Sequence, residues 1–501
     1  MIAESIPIAY RPVLAILCPA IASILIVLFG KWPNIREGWT MLASILQFLI
    51  IISMVPTIIG GEVIKYTFFT AFPGIDFGFS VDALGLIFAI TSTFLWILVS
   101  SYSIGYMRSL HEHAQTRYYF CFAWAIFGAV GVALSNNLFT MFVFYEILTI
   151  STYPLVAHDQ TPEALFAGRK YLAYLLSSGC FFLGAVVLTY HFAGTTDFMN
   201  GGIPNLASEA SRGALMALFA IFLLGFMKAA WMPFHSWLPT AMAAPTPVSA
   251  LLHAVAVVKA GVFGVVRTVC YIYGIDLMSA LGLGIILASI ASFTMIVASL
   301  FAIAQDNLKR RLAYSTISQL SYILFGVALL NPMGVEGAML HIPFHGFMKI
   351  TLFMCAGAIM VASGKRNISD MGGIGRTMPV TMTAFSIGAL GMCGIPPVCG
   401  FISKWYLGLG TLDAHALGLL AVLMISSLLD IVYFFPIIYT AFFDTPEGMD
   451  KLENPRIKEA PIFMLVPLAL TAIFSIVFCL FPNTFHILDL AKLAVASLGG
   501  A

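Results

Sequence analysis

The sequence predicts an all-α polytopic membrane protein with about 14 transmembrane helices. Hydrophobic residues make up 60% of the 501 residues and charged residues 9%, whereas a soluble protein carries roughly 25% charged residues. The mean hydropathy is +0.97. So few charges cannot cover the surface of a soluble globule, which excludes a soluble enzyme. A net charge of +1 without a basic tract excludes a nucleic-acid-binding protein.

The transmembrane count comes from apolar segments of about 20 residues, the length that a helix needs to cross a bilayer. The predicted spans are 12–30, 40–60, 82–105, 117–135, 138–157, 170–193, 213–231, 246–272, 277–304, 311–330, 338–361, 379–409, 414–443 and 460–481. The longest loops, 61–81, 194–212 and 444–459, are too short for a soluble domain. The chain 1–501 is therefore predicted to be a single membrane domain.

Basic residues in the loops predict the orientation of this domain. Loops after odd-numbered spans contain fifteen Lys and Arg residues, and loops after even-numbered spans contain three. Because cytoplasmic loops are enriched in Lys and Arg, the odd loops are predicted to be cytoplasmic. Both termini are then expected outside, with the chain in the cell inner (cytoplasmic) membrane.

After the basic residues counted with the loops and Asp82 at the start of the third span are set aside, six charged residues remain inside the predicted spans, where an unpaired ion costs roughly 2.5–3.5 kcal/mol. They must pair, face water or lose their charge. Burial lowers the pKa of lysines in general and raises that of carboxyl groups, so a buried lysine can take up and release a proton near neutral pH. This chemistry predicts a proton relay. The residues are Glu146, Lys228, Lys259, Lys349, Lys404 and Asp430.

Glu146 in the fifth span and Lys228 in the seventh are candidates for a switching pair. A nearby carboxylate would hold the lysine charged, and a more distant carboxylate would let it discharge. The alternative is that these charges form static salt bridges or that the lysines extend to the membrane surface. That alternative applies to Lys259, Lys349 and Asp430 as well.

Three histidines add candidate auxiliary relay groups. His341, His345 and Lys349 recur at intervals of four residues and form one stripe on a helix. His253 lies six residues before Lys259, on a different face of the same helix. The spacing of His341 and His345 permits metal binding, but no carboxylate or Cys accompanies them. The eight cysteines include no CxxC motif, so neither an iron–sulfur cluster nor a disulfide framework is indicated. No metal or cofactor is expected.

Two spans are interrupted by proline near a lysine. Lys228 precedes Pro233 by five residues, and Lys404 follows Pro397 by seven. Non-helical backbone at membrane depth persists only where it faces protein or water. The two broken spans, the seventh and the twelfth, are five spans apart, so a repeat of five helices would place its second copy upside down. Inverted repeats are predicted in 117–272 (spans 4–8) and 277–443 (spans 9–13), flanked by 1–116 and 460–501.

Five stretches between about 80 and 410 resemble the antiporter-like subunits of respiratory complex I and of the multisubunit Mrp-type cation/proton antiporters. They are FVFYEILTISTYPLVAH, GFMKAAWMPFHSWLPTAMAAPTPVSALLHAVAVVKAGVFGVVR, NLKRRLAYSTISQLSYILFG, HIPFHGFMKITLF and GIPPVCGFISKWY. The predicted number of spans matches this family too.

The resemblance implies a proton-translocating subunit with a hydrophilic axis parallel to the membrane. Implied roles are the switch acid for Glu146, the modulated lysine for Lys228, relay groups for Lys259 and for Lys349 with His341 and His345, and the exit residue for Lys404. Asp430 matches no residue of the family's motifs.

The resemblance favours a D-like subunit of an Mrp-type Na⁺(cation)/H⁺ antiporter, with other membrane subunits, the lipid bilayer, H⁺ and Na⁺ as candidate partners. Three other assemblies remain open: a complex I-like NADH dehydrogenase, a membrane-bound hydrogenase and an inorganic-carbon uptake complex. The chain carries no redox or hydrolytic centre, so its status as an enzyme is left open. A stand-alone solute permease is disfavoured because no substrate-shaped polar cluster stands out.

Overall fold

A computed structural model describes residues 7–444 and 457–499. The two chain ends lie outside these residues, as do Lys451 and Arg456, two of the fifteen basic residues in odd loops.

The described part of the chain is mainly α-helical. The first half contains α1 (Arg11–Leu28), α2 (Pro33–Ile52), α3 (Val55–Ile59), α4 (Ala83–Ser109), α5 (Gln115–Leu134), α6 (Leu138–Val156), α7 (Pro162–Ala193), α8 (Pro204–Glu209), α9 (Arg212–Gly225), α10 (Trp237–Thr240), α11 (Thr246–Ala250) and α12 (Val257–Arg267). The second half contains α13 (Ile275–Leu281), α14 (Leu283–Ile303), α15 (Leu308–Ala328), α16 (Pro332–Ser363), α17 (Ile374–Thr377), α18 (Pro379–Cys393), α19 (Gly400–Asp413), α20 (Leu417–Phe443), α21 (Ile462–Leu480) and α22 (Ile487–Ala496). Short 3₁₀ turns occupy Ile8–Tyr10, Met227–Ala229, Ala241–Ala243, Ile368–Asp370 and Thr484–His486, and π-helical turns occupy Leu251–Val255 and Thr268–Tyr273.

Local sequence signals set the ends of the helices that carry the candidate residues. Asn137 caps α6 by accepting a hydrogen bond from the Thr140 amide at 2.8 Å. Asn331 caps α16 in the same way, with the Gly334 amide at 2.8 Å. An Asn at this position satisfies one of the free amides of the first turn. At the other end, Gly364 adopts φ +74° and terminates α16.

Eleven helical segments of the described chain are long and apolar enough to cross a membrane. The other three predicted spans coincide with α9, α15 and the pair α18–α19. Helices α9 and α18 are apolar but have only 14 and 15 residues. The polytopic helical fold is confirmed, while the count of fourteen and the inverted repeats stay predictions.

A β-hairpin occupies the segment 61–81, which the sequence analysis took for a loop. Strand β1 (Ile64–Phe72) pairs antiparallel with β2 (Ile75–Val81), with Ile64 opposite Val81. Aromatic and β-branched residues, which favour strands, dominate both strands. The turn passes through Gly74 with φ +77°, a conformation that glycine adopts readily. The hairpin was not predicted because each of its strands is much shorter than the roughly 20 apolar residues of a membrane-spanning helix.

Burial separates an inner group of helices from an outer one. In its apolar stretch the segment Thr246–Tyr273 is 100% buried and α4 is 89% buried, whereas α20 is only 28% buried. Helix α16 is also largely buried and packs against α15, α18, α19 and α21. The inner helices carry most of the predicted relay residues. The outer helices present large apolar side chains to their surroundings, as a bilayer or a neighbouring membrane subunit requires.

Candidate functional site

The charged and imidazole side chains predicted from the sequence are buried in the middle of the helical body. Lys228 lies in the 3₁₀ turn after α9, Lys259 on α12, and Lys404 on α19. Helix α16 carries His341, His345 and Lys349, and the π-helical turn before α12 carries His253. All are fully buried except Lys404, whose exposure is 9%. Such groups require partners inside the protein.

Lys228 lies where the seventh predicted span loses its helical backbone. Its Nζ donates to the backbone carbonyl of Tyr145 at 2.5 Å and lies 3.2 Å from the centroid of the Tyr145 ring. The end of α9 frees the carbonyl of Gly225, which accepts hydrogen bonds from the Tyr145 hydroxyl at 3.0 Å and from Ser178 Oγ at 2.5 Å. Protein side chains therefore satisfy the irregular backbone, as the membrane interior demands.

Glu146 follows Tyr145 on α6 and is half-buried. It forms no ion pair with Lys228 in the described part of the protein, and its buried Oε1 has no hydrogen-bond partner there. Its carboxyl lies against Gly179 of α7, where a Cβ would come within 2.4 Å of Oε1. Lys228 thus contacts Tyr145, the residue before Glu146, and the switching role of the Glu146 and Lys228 pair stays a prediction.

Lys259 connects the seventh-span break to the central histidines. Its Nζ lies 2.8 Å from His345 Nδ1. On the same helix, Gly261 packs so closely against the Lys228 turn that a Cβ would come within 2.2 Å of the Ala229 amide nitrogen. Glycine at this position places the backbones that carry the two lysines in contact.

The histidine stripe continues from Lys259 toward α19. The rings of His345 and His341 have centroids 5.8 Å apart, and His341 Nδ1 lies 2.8 Å from Ser403 Oγ. Ser403 immediately precedes Lys404 in the sequence. His253 stands apart from this line, because its Nδ1 lies 2.9 Å from Thr316 Oγ1 on α15.

Lys404 forms a buried ion pair with Asp430 of α20. Its Nζ lies 2.8 Å from Asp430 Oδ2 and also donates to the Met392 carbonyl at 2.7 Å, near the end of α18. Gly394, at the break between α18 and α19, lets the lysine stem pass, since a Cβ there would come within 2.7 Å of Lys404 Cδ. Asp430 is fully buried and accepts a second hydrogen bond from Gln319 Nε2 at 2.8 Å. The acid without a motif counterpart is therefore the counter-ion of Lys404.

Hydroxyl groups link this ion pair to Lys349. The Tyr433 hydroxyl donates to Asp430 Oδ1 at 2.5 Å and lies 2.9 Å from Ser315 Oγ. Ser315 Oγ in turn accepts from Lys349 Nζ at 2.9 Å. An unbroken series of hydrogen bonds thus runs from Lys349 to Lys404 through three side chains. Lys349 contacts this series rather than the two histidines that share its helix.

Sequence reasoning missed Ser315, Gln319 and Tyr433. A signal was available, because Ser315 and Gln319 lie four residues apart on α15, and Tyr433 follows Asp430 by three on α20. Both spacings place the pair on one helix face. Amine, imidazole and hydroxyl groups each accept and donate protons, so such a series can carry a proton between its ends.

Family models match most of the chain. The model described as the transmembrane region of NADH:quinone oxidoreductase and the Mrp antiporter matches residues 135–430. The model of the N-terminus of NADH-ubiquinone oxidoreductase (complex I) chain 5 matches residues 71–119.

Curated relatives include the N subunit of the NADH-quinone oxidoreductase of Desulforudis audaxviator, 32% identical over 94% of this chain and 96% of that protein. The A1 subunit of the Na⁺/H⁺ antiporter of Staphylococcus haemolyticus is 31% identical over 97% of this chain. Its counterpart in Alkalihalophilus pseudofirmus, the A subunit of a Na⁺/H⁺ antiporter, is 32% identical over 94%. This chain spans 63% and 61% of the length of those two antiporter proteins.

Solved structures share the fold. A chain of the Mrp complex from a Dietzia species superposes with a TM-score of 0.86 at 21% identity, covering 98% of this chain and 97% of that one. A chain of the archaeal membrane-bound sulfane sulfur reductase, a respiratory membrane complex, superposes with a TM-score of 0.84 at 26% identity and 97% coverage of both chains. The resemblance stated from the sequence is confirmed, and the chain belongs to the family of NADH:quinone oxidoreductase and Mrp antiporter transmembrane subunits.

Proposed function

We propose that this chain moves protons as a subunit of a multisubunit cation/proton antiporter, with Na⁺ as the candidate exchanged ion. The relay consists of Glu146, Lys228, Lys259, Lys349 and Lys404, with His253, His341 and His345 as auxiliary groups. The observation that carries the proposal is the buried series of hydrogen bonds from Lys349 through Ser315, Tyr433 and Asp430 to Lys404. The similarity of the chain to two Na⁺/H⁺ antiporter proteins supports the choice of assembly.

The energetics favour a relay over a purely structural role. Each buried charge is expensive in the membrane interior, and pairing recovers only part of that cost. A stable helical body gains little from four buried lysines when apolar side chains of similar volume would pack at least as well. Proton transfer requires such groups, because an amine that gains and loses a proton must lie where water does not bypass it.

The relay has two ends that differ in access. Glu146 is half-buried on α6, and its carboxyl lies against Gly179 of α7. Lys404 retains 9% exposure beside the break between α18 and α19. In the proposed path, Glu146 controls the charge of Lys228, and Lys404 exchanges protons with one side of the membrane. The inverted repeats, the cytoplasmic odd loops and the external termini belong to the same proposal.

A second candidate function is the proton-pumping subunit of a redox complex. It is favoured by the 32% identity over 96% of the length of an NADH-quinone oxidoreductase protein. In that case partner chains would hold the redox centres, and electrons would not pass through this chain. The assembly decides between the two functions. Proton movement driven by a Na⁺ gradient supports the antiporter, whereas proton movement driven by an electron donor supports the pump.

The test is Lys228→Ala in the native complex, assayed for proton uptake in membrane vesicles. Positioned proton-transfer groups contribute about 10²–10⁴-fold to rates, so uptake should fall at least about 100-fold while the complex still assembles. The matched control is Lys31→Ala, which removes an exposed lysine at the end of α1. Normal uptake by Lys228→Ala would refute the proposed path.

A further inference from the structure

Three side chains that commonly bind metal ions lie close together at the α4–α5 loop, away from the relay residues. They form a cluster of Glu112 and His113, in the loop between α4 and α5, and His158, just after α6. Glu112 Oε2 lies 3.9 Å from His113 Nδ1 and 3.9 Å from His158 Nε2. One ligand atom from each residue falls within 4.8 Å of the others.

The surroundings of His158 separately indicate a missing ligand. Its side chain is fully buried, yet neither ring nitrogen has a hydrogen-bond partner within residues 7–444 and 457–499. Buried polar groups in native proteins nearly always have a partner, so an imidazole with two unpartnered nitrogens calls for one. His158 Nε2 lies 3.9 Å from Glu112 Oε2, so a metal ion shared with that carboxylate would supply the missing partner.

The ligand set and its geometry fit a small divalent transition-metal ion. Zn²⁺ binds imidazole nitrogen and carboxylate oxygen at about 2.0–2.2 Å, so tetrahedral ligand atoms lie about 3.4 Å apart. The two distances from Glu112 Oε2 to the histidine nitrogens need to shorten by about half an ångström to reach that value, and the separation of the two histidine nitrogens, which is within 4.8 Å, by up to about 1.4 Å. His113 is half-exposed, which leaves one side of the cluster open for a fourth ligand from solvent. Two histidines and one carboxylate also form the usual open site of non-haem iron.

Charges of both signs lie around the cluster. Asp159 lies next to His158 in the chain and lines the same cavity as Glu112. Opposing these two carboxylates, the Arg117 guanidinium donates to the backbone carbonyl of His158 at 2.9 Å. Two basic residues, Lys309 and Arg366, line the same cavity as these two carboxylates. A divalent ion would offset the repulsion between the two carboxylates.

We propose that Glu112, His113 and His158 bind one divalent transition-metal ion of the Zn²⁺ class. The ion would join the α4–α5 loop to the end of α6, the helix that carries Glu146. Glu112 and Asp159 also line a cavity of about 800 Å³ on this side of the chain, together with Lys309 and Arg366. The metal would thus hold Glu112, and with it one edge of that cavity, in place. The site is independent of the proposed proton path.

Co²⁺ titration of the purified full chain, followed by visible absorption, tests the site. We expect one equivalent of Co²⁺ with a tetrahedral or five-coordinate spectrum, displaced by one equivalent of Zn²⁺. His113→Ala should weaken binding by more than the roughly 10–100-fold that loss of an outer-shell partner costs. Because His113 is half-exposed, this variant should fold normally. His158→Ala should abolish the spectrum.

The matched control is His111→Ala, which removes a histidine of the same loop that is not in the cluster. It should bind Co²⁺ as the unchanged protein does. The proposal is overturned if the unchanged protein binds Co²⁺ no more tightly than His113→Ala. Equal weakening by His111→Ala would also overturn it, because binding would then depend on loop histidines in general.

Discussion

The two broken-helix lysines share a sequence pattern but differ in their electrostatic surroundings. Lys228 and Lys404 both lie near a proline break, are buried, and donate to a backbone carbonyl. Lys404 also has a fixed counter-ion, Asp430, at 2.8 Å. Lys228 has no ion pair in the described part of the protein, and the Glu146 carboxyl packs against Gly179 of α7. The same local pattern therefore produces one lysine with a bound counter-ion and one lysine without a direct ion pair.

We propose that this difference gives the two halves of the proposed path different roles. A direct ion pair in a low-dielectric interior holds both charges in place. A lysine facing a tyrosine ring and one carbonyl has weaker partners, so a displacement of Glu146 changes its environment more. In this interpretation Glu146 and Lys228 in the first half control proton transfer. The hydrogen-bonded series from Lys349 to Lys404 in the second half is a fixed path that receives the proton.

Lys404→Ala should have the largest effect, because it leaves Asp430 buried without its counter-ion. Removing one partner of a buried pair typically costs 3–5 kcal/mol, so we expect a loss of about 3–5 kcal/mol in unfolding free energy. Denaturant titration in detergent measures that loss. Proton uptake in inverted vesicles should be blocked as well, because the series from Lys349 loses its end.

The double variant Lys404→Ala/Asp430→Asn separates these two effects. Removing both charges should recover most of the lost stability while proton uptake remains blocked. Recovery of uptake in the double variant would remove Lys404 from the path. Unchanged uptake in the single variant would do the same.

Gly179→Ala should disturb the first half without touching a charged residue. The new methyl group would lie 2.4 Å from Glu146 Oε1, so the carboxyl must move. Inserting a methyl group into a packed site costs about 1–3 kcal/mol, and the coupling of cation movement to proton movement should weaken. The control is Gly184→Ala on the same helix, where the nearest atom lies 4.0 Å from the added carbon. Equal effects of the two substitutions would point to α7 packing rather than to Glu146.

Tyr433→Phe removes the hydroxyl between Ser315 and Asp430 and keeps the ring. The loss of one buried hydrogen-bonding group should cost about 0.5–1.5 kcal/mol. Proton transfer should slow, because the series from Lys349 to Lys404 then has a gap. Tyr439→Phe, at an exposed position of the same helix, serves as the control. A wild-type uptake rate in Tyr433→Phe would show that protons take another route.

Glu146→Gln should have the smallest effect on stability, since no ion pair is lost and the shape of the side chain is kept. We expect a change in unfolding free energy within about 0.5 kcal/mol. Coupling should nevertheless be impaired, because the amide cannot change the charge of the site. The pH dependence of vesicle transport reports this, and a wild-type profile would count against a switch at Glu146.

Local patterns predicted most of the architecture. Apolar runs and charge counts marked the membrane segments, and lysine beside proline marked both breaks, because these signals lie within a few residues of one another. The aromatic and β-branched residues within 61–81 also indicate strands. The hairpin was not predicted because only apolar segments of helical length were considered.

Contacts between distant helices could not be predicted in the same way. Asp430 reaches Lys404, and Ser315 reaches Tyr433, only because α15, α19 and α20 pack together. The relation of Glu146 to Lys228 depends on the rotation of α6. Successive residues of a helix point about 100° apart, so Tyr145 meets the lysine and Glu146 does not. Local periodicity in a sequence determines neither the rotation of a helix about its axis nor the distant side chains that it contacts.

Helix α20 combines two properties that rarely occur together. It is among the least enclosed helices of the body, with only 28% of its apolar stretch buried, and it carries Asp430 on its inner face. Any neighbouring protein or lipid that pushes α20 sideways would change the distance between Asp430 and Lys404. Movement of α20 at the edge of the protein would therefore directly change the electrostatic interaction of the buried Lys404–Asp430 pair.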